Sequence, residues 1–109
     1  MEQNEKRPIE VIHNAKENCF EAPGGARLEY TPDGGKMVFD HTFVPPEMRG
    51  TGVASVLAQV AFDHARAAGW KVVPACSYIA TWVKRHRGYE DLIVPSNVLK
   101  NERTQLSKT

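Results

Sequence analysis

The chain has 109 residues, 41% of them hydrophobic and 25% charged, which suits a single globular domain with one modest core. Fourteen Lys and Arg stand against thirteen Asp and Glu, so the formal net charge of +1 provides no basic surplus for nucleic acid. No apolar run approaches the ~20 residues of a membrane span, and the N-terminus lacks the apolar core of a signal peptide. We therefore expect a cytoplasmic protein without a nucleic-acid or membrane partner.

Polar segments at both ends set the expected domain limits. Residues 1–7 are predicted to be a disordered tail and residues 101–109 a polar tail, which leaves residues 8–100 for one domain. Cys19 and Cys76 lie far apart and outside any CxxC spacing. We therefore expect no structural disulfide and no bound metal.

The first half of the chain alternates short apolar stretches with turn residues, which predicts an antiparallel meander. The strongest turn signal is Gly34-Gly35, since glycine supplies the positive φ that tight hairpins require. The predicted strands are residues 9–13, 19–22, 26–31 and 36–44. In the last of these, alternation places four side chains on one face: Met37, Phe39, His41 and Phe43.

After Pro45-Pro46 the hydrophobic period changes to that of a helix, which is expected to end at Gly69. Phe62 falls on the polar side of this helix. A strand at residues 71–75 and a second helix at residues 77–87 follow. A strand-helix-strand connection is right-handed, so the strand at 71–75 should run parallel to the one at 36–44. The pattern predicts an α+β sheet with at least one helix packed on it.

A glycine-punctuated turn joins the longest strand to the first helix. Its residues are Arg49-Gly50-Thr51-Gly52-Val53-Ala54. Unpaired amides at a helix start, together with the helix dipole, attract an anion that glycines allow to approach closely. The turn therefore predicts a pyrophosphate site, although glycines that serve the turn conformation alone would give the same pattern. It is neither a Walker motif nor a dinucleotide fingerprint.

This loop matches the Gln/Arg-x-x-Gly-x-Gly/Ala pattern, and the chain here resembles the GNAT acetyltransferase superfamily. It is most similar to the minimal GNAT-like proteins, and the resemblance covers residues 26–93. It implies a GNAT-like fold: an antiparallel meander, a strand-helix-strand crossover and a second helix. The matching segments are His41-Thr42-Phe43-Val44-Pro45, the glycine loop, Pro74-Ala75-Cys76-Ser77-Tyr78 and Gly88-Tyr89.

The resemblance implies a cofactor, an activity and a set of binding residues. The cofactor is acetyl-CoA, and the activity is transfer of its acetyl group to an amine, either a small amine or an amine of a protein. The pyrophosphate would lie on the loop and the pantetheine arm along the end of the preceding strand, with the thioester near Cys76. The implied cofactor-binding residues are Thr42, Phe43, Val44, Arg49, Gly50, Thr51, Gly52, Val53, Ala54 and Ser77.

Cys76 is the first candidate catalytic residue. Larger family members often carry a Tyr that protonates the departing CoA thiolate, and its position in this chain is occupied by Val83. Cys76 lies between a strand and a helix N-terminus, a place that stabilises a thiolate and increases its reactivity. An acetyl-cysteine intermediate, proton donation to CoA and a packing role all remain open for it.

His41 is the second candidate, because its strand directly precedes the glycine loop and an imidazole titrates near neutral pH. Its register with Phe39 and Phe43 equally favours a hydrogen-bonded core histidine, and a bulge in the strand would change the face on which it lies. A non-catalytic CoA or acyl-CoA binding module and a small interaction protein that keeps only the fold are the alternatives to an N-acetyltransferase.

Overall fold

The computed structural model of the protein describes residues 9–94. Within this range the chain forms a five-stranded sheet, two α-helices and three short 3-10 turns at Pro23–Gly25, Pro46–Met48 and Arg87–Leu92. The strands are β1 (Ile12–Asn14), β2 (Cys19–Glu21), β3 (Arg27–Pro32), β4 (Lys36–Phe43) and β5 (Lys71–Val73), and the helices are α1 (Val53–Ala68) and α2 (Ser77–Arg85).

The sheet order is β1-β2-β3-β4-β5, with antiparallel pairing through β4 and a parallel β4–β5 pair. The predicted meander and crossover are thus confirmed. The expected tails at residues 1–7 and 101–109 lie outside the described residues, so the domain limits stay a prediction. Between residues 9 and 94, no helix has the length and apolarity to cross a membrane.

Two element ends differ from the prediction for identifiable reasons. β5 stops at Val73 instead of Ala75, because Pro74 has no amide for the ladder and the Ala75 amide turns back to the Val73 carbonyl at 3.0 Å. α2 stops at Arg85 instead of Arg87, because His86 leaves the helical region at φ −126° and ψ 71°. β1 is also shorter than expected and begins at Ile12.

The hairpin between β3 and β4 is the two-glycine turn that the sequence predicts. Asp33 and Lys36 exchange backbone hydrogen bonds of 2.8 and 3.1 Å. Gly34 and Gly35 between them have φ values of 55° and 85°, which is the pattern of a type I′ turn. This turn fixes the register with which β4 leaves the hairpin.

A β-bulge in β4 changes that register halfway along the strand. Tyr30 of β3 lies opposite Phe39, whereas its neighbour Glu29 lies opposite His41. Asp40 is therefore the extra residue, and its carboxylate accepts a 2.7 Å hydrogen bond from the Thr31 hydroxyl.

The bulge reverses the facing of every β4 side chain that follows it. Met37 and Phe39 are buried beneath the helices as expected. Beyond Asp40, Thr42 pairs with the fully buried Leu28 and shares its face, so His41 and Phe43 lie on the opposite face, which no helix among residues 9–94 covers. We call this the uncovered face. The prediction that His41 and Phe43 share a face with Phe39 was wrong.

Both helices cover the same face of the sheet and also pack on each other. Phe62 of α1 is fully buried, although the helical pattern placed it on the polar side. Trp82 of α2 stacks on Phe62 with ring centroids 5.3 Å apart. Phe39 of the sheet contacts the Phe62 ring edge-on, with ring centroids 5.2 Å apart. α1 is thus covered by a sheet and a helix, so its buried arc is wider than a one-sided stripe.

A cluster of four rings closes the other end of the core, where β1 meets α1. His13 stacks on Phe20 with ring centroids 4.4 Å apart and shares a 2.6 Å hydrogen bond with the Tyr30 hydroxyl. His64 of α1 meets the His13 ring edge-on at 4.4 Å. Burial lowers the pKa of His13, and the nearby His64 lowers it further.

This cluster predicts a loss of stability in mild acid. Because the pKa of His13 is lowered in the folded protein, the unfolded chain takes up a proton first as the pH falls through about 6.5. The free energy of unfolding should therefore decrease from that pH downward, until the pH passes below the pKa of His13 in the folded state. Urea unfolding between about pH 8 and pH 5 should show a smaller decrease for His13→Gln than for the wild type. An equal decrease in both proteins would contradict the role of His13.

Candidate functional site

The turn between β4 and α1 has an alternating hydrogen-bond pattern. The amides of Arg49 and Thr51 donate to the carbonyls of Pro46 and Met48 at 3.2 and 3.3 Å. The Val53 amide donates to the Thr51 hydroxyl at 3.3 Å, and that hydroxyl donates to the Met48 carbonyl at 2.6 Å. Every second amide of the turn is therefore already satisfied.

Four other amides, in the turn and at the start of α1, are available to a ligand. Those of Gly50, Gly52, Ala54 and Ser55 donate to no acceptor within residues 9–94. Gly50 and Gly52 have φ values of 83° and 86°, a left-handed conformation that glycine adopts without strain. Unsatisfied amides at the positive end of a helix form an anion site.

Three of these residues, Gly50, Gly52 and Ala54, border a cavity of about 260 Å³ at the start of α1. A Cβ placed on Gly50 or Gly52 would meet no protein atom within 4 Å, so the space above the turn is open to a ligand. The lining residues are Val44, Met48, Arg49, Gly50, Gly52, Val53 and Ala54. The turn is therefore a candidate anion site.

Six of the ten sequence-predicted cofactor residues line this cavity: Val44, Arg49, Gly50, Gly52, Val53 and Ala54. Thr42, Phe43, Thr51 and Ser77 do not line it. Thr51 shapes the turn instead of offering its amide, because that amide and its hydroxyl both bond Met48. Ser77 is exposed in the first turn of α2 and does not line the cavity. Sequence reasoning missed Met48 and Ser55, whose only signal is their position next to the glycine turn.

The edge of β4 beside the cavity has no neighbouring strand within the described residues. β5 pairs with residues 36–38 only, and the last link between the two segments is the Cys76 amide, which donates to the Phe39 carbonyl at 2.9 Å. Thr42, Phe43 and Val44 extend past this point toward the cavity. The space beyond the end of β5 leaves this edge of β4 available to an extended ligand, which could pair as an additional strand.

Cys76 lies at the closed end of this space. It is the N-cap residue of α2, half-buried, with its Sγ 3.6 Å from the hydroxyl of Thr42. The predicted location of Cys76 directly before a helix N-terminus is thus confirmed, whereas its reactivity stays a prediction. Val83 is 6% exposed and packs in the core, so it supplies no acid at the position of the usual Tyr.

His41 does not lie beside Cys76. It is exposed on the uncovered face of the sheet, opposite Glu29, whereas Thr42 turns toward Cys76. The alternative of a core histidine was therefore wrong. The bulge at Asp40, which the sequence could not reveal, places His41 on this face.

Ser55 connects the start of α1, next to the glycine turn, to α2. Its hydroxyl accepts a 2.8 Å hydrogen bond from the indole nitrogen of Trp82. Burial raises the pKa of Tyr78 on the same helix, and a hydrogen bond with Ser55 opposes that rise. Tyr78 is 37% exposed, which makes it a phenol accessible from solvent between the turn and Cys76.

The comparisons with known proteins agree with this geometry. A family model described as GCN5-related N-acetyl-transferase matches residues 19–92, which is 74 of the 109 residues. The chain belongs to the GCN5-related N-acetyltransferase family. The protein is also similar to a Staphylococcus aureus protein solved by NMR and described as a GCN5-like candidate N-acetyltransferase, with a TM-score of 0.65 and 26% identity over 80% of this chain and 89% of that one. The predicted GNAT-like fold is confirmed.

The two cysteines are expected to differ in reactivity. Cys19 is 2% exposed, and burial followed by a hydrogen bond with Glu21 raises its pKa, whereas Cys76 is half-buried at a helix N-terminus. Iodoacetamide near neutral pH should therefore alkylate Cys76 faster than Cys19 by about an order of magnitude or more. Peptide mass spectrometry over time measures both rates, with Cys76→Ala and Cys19→Ala as controls. Equal rates would show that the sulfur of Cys76 is not accessible.

Proposed function

We propose that the protein is an acetyl-CoA-dependent N-acetyltransferase that transfers an acetyl group to an amine. The observation that carries this proposal is the set of unsatisfied amides at Gly50, Gly52 and Ala54, which border an open cavity, with that of Ser55 next to them. The unpaired edge of β4 leads from that cavity to a cysteine. Family membership supports the reaction type, and the acceptor is an amine of a small molecule or of a protein.

The glycine loop would hold the pyrophosphate. A hydrogen bond from an amide to a charged oxygen contributes about 1.5–3 kcal/mol, so several of them give substantial affinity. The exposed guanidinium of Arg49 adds a positive charge at the rim of the same cavity. The free edge of β4 from Thr42 to Val44 would pair with the amide-bearing pantetheine arm.

Acetyl-CoA would supply the acetyl group as a thioester. Two roles of Cys76 satisfy the balance of the reaction. As a proton donor, its thiol gives a proton to the departing CoA thiolate while the amine nitrogen bonds the acetyl carbon and loses its own proton. As a nucleophile, its thiolate bonds the acetyl carbon while the C–S bond to CoA breaks, and the amine then displaces the sulfur.

His41 is proposed to accept the proton that the amine loses. It adjoins Thr42 on the unpaired part of β4, and its exposed imidazole is open to an acceptor that approaches from the uncovered face. An imidazole is a suitable base near neutral pH.

A second candidate function is a CoA or acyl-CoA binding module without catalysis. The observation that favours it is the buried Val83 where larger family members often have a Tyr. Assay of acetyl transfer to a lysine peptide, a peptide with a free N-terminus and a small polyamine separates the two. Transfer to any of them supports the enzyme, and saturable binding without transfer to any supports the module.

Gly52→Asp tests the phosphate-binding turn, with Gly52→Asn as its matched control. Asp and Asn both tolerate the left-handed backbone and have nearly the same size, so only the charge differs. Calorimetric titration with CoA and acetyl-CoA should show binding weakened about 100-fold or more, or about 3 kcal/mol, by Asp, and far less by Asn. Unchanged binding by Gly52→Asp would place the pyrophosphate elsewhere.

Cys76→Ala separates chemistry from packing. If the thiol takes part, acetyl transfer should fall about 10²- to 10⁴-fold while acetyl-CoA binding is retained. Intact mass spectrometry of the wild type with acetyl-CoA alone then distinguishes the two roles, because only a nucleophile gains one acetyl group. Full activity of Cys76→Ala would assign the cysteine to packing.

A further inference from the structure

The contact between Thr42 and Cys76 joins two segments that are far apart in sequence. Thr42 lies near the end of β4 and Cys76 caps α2, with the hydroxyl oxygen and the sulfur 3.6 Å apart. The backbone of Cys76 is fixed separately, because its amide donates to the Phe39 carbonyl and its carbonyl accepts from the Ala80 amide at 3.0 Å. The backbone of Cys76 is therefore held by contacts that do not involve its side chain.

The β-bulge is what brings a hydroxyl to this position. With regular alternation from Phe39, residue 41 would face the helices and place an imidazole beside the sulfur. The insertion of Asp40, secured by its hydrogen bond from Thr31, places the smaller Thr42 there instead. The neighbour of the sulfur is thus a neutral group that can either donate or accept.

We propose that Thr42 is a positioning residue that donates its hydroxyl hydrogen to the sulfur of Cys76 when the latter is a thiolate. Its donation stabilises the negative charge together with the N-terminus of α2 and directs Sγ toward the free edge of β4. The identity of Thr42 then matters through its side chain, in addition to the backbone pairing proposed for its peptide groups. The catalytic purpose of this hydrogen bond rests on the proposed function, but the bond itself can be tested without acetyl-CoA.

The test compares Thr42→Val with Thr42→Ser in a Cys19→Ala background, so that a single thiol reacts. Valine keeps the shape of threonine without the hydroxyl, and serine keeps the hydroxyl without the methyl. The rate of iodoacetamide alkylation is measured against pH, and the pH of half-maximal rate is compared. Thr42→Val should move this midpoint upward by about 0.7 pH unit, the shift that corresponds to one net hydrogen bond. Thr42→Ser should leave it close to that of the parent protein.

Two outcomes would overturn the proposal. If Thr42→Val has the midpoint of the parent, no hydrogen bond stabilises the thiolate. If Thr42→Ser shifts as far as Thr42→Val, the methyl group and its packing matter instead of the hydroxyl. Urea unfolding checks that each variant is folded, and Thr42→Ala provides a second variant without the hydroxyl. Because the measurement contains no cofactor, failure of acetyl-CoA binding leaves its result intact.

Discussion

One inserted residue in β4 determines which side chains reach the candidate site. Up to Phe39 the strand follows simple alternation, and its inward residues belong to the core. Asp40 shifts the register, after which Thr42 faces Cys76 and His41 faces the uncovered side of the sheet. The two candidate catalytic side chains are thereby separated by the sheet itself. An acceptor that uses both must reach the gap between β4 and β5 from the uncovered face.

The same part of β4 provides the second requirement of the site, an unpaired edge. β5 is short because Pro74 cannot extend the ladder, and the chain turns at once into α2. Within the described residues, β4 then continues toward the glycine turn with β3 on one edge and no strand on the other. The early end of β5 thus leaves a gap along the edge of β4. This gap extends from the unsatisfied amides at the start of α1 to the thiol at the start of α2.

The helices α1 and α2, at whose starts the free amides and Cys76 lie, pack directly on each other. Trp82 stacks on Phe62 of α1, and its indole nitrogen donates to Ser55 in the first turn of that helix. His86 stacks on the other side of Trp82 with ring centroids 3.9 Å apart. Because Ser55 also offers one of the free amides, the start of α1 and the start of α2 are positioned by one shared set of contacts.

The sequence by itself determined the local features: the two-glycine hairpin, the glycine turn before α1, the position of Cys76 before α2 and the order of elements. These depend on neighbours in the chain, such as the positive φ available at Gly34 or Gly52. It also determined the family, because the matching segments are continuous in sequence. The burial of Phe62, the facing of His41 and the Thr42–Cys76 contact were decided by tertiary structure alone. Each depends on a partner distant in the chain, respectively Trp82, the register against Glu29 and the docking of α2, and no local periodicity contains that information.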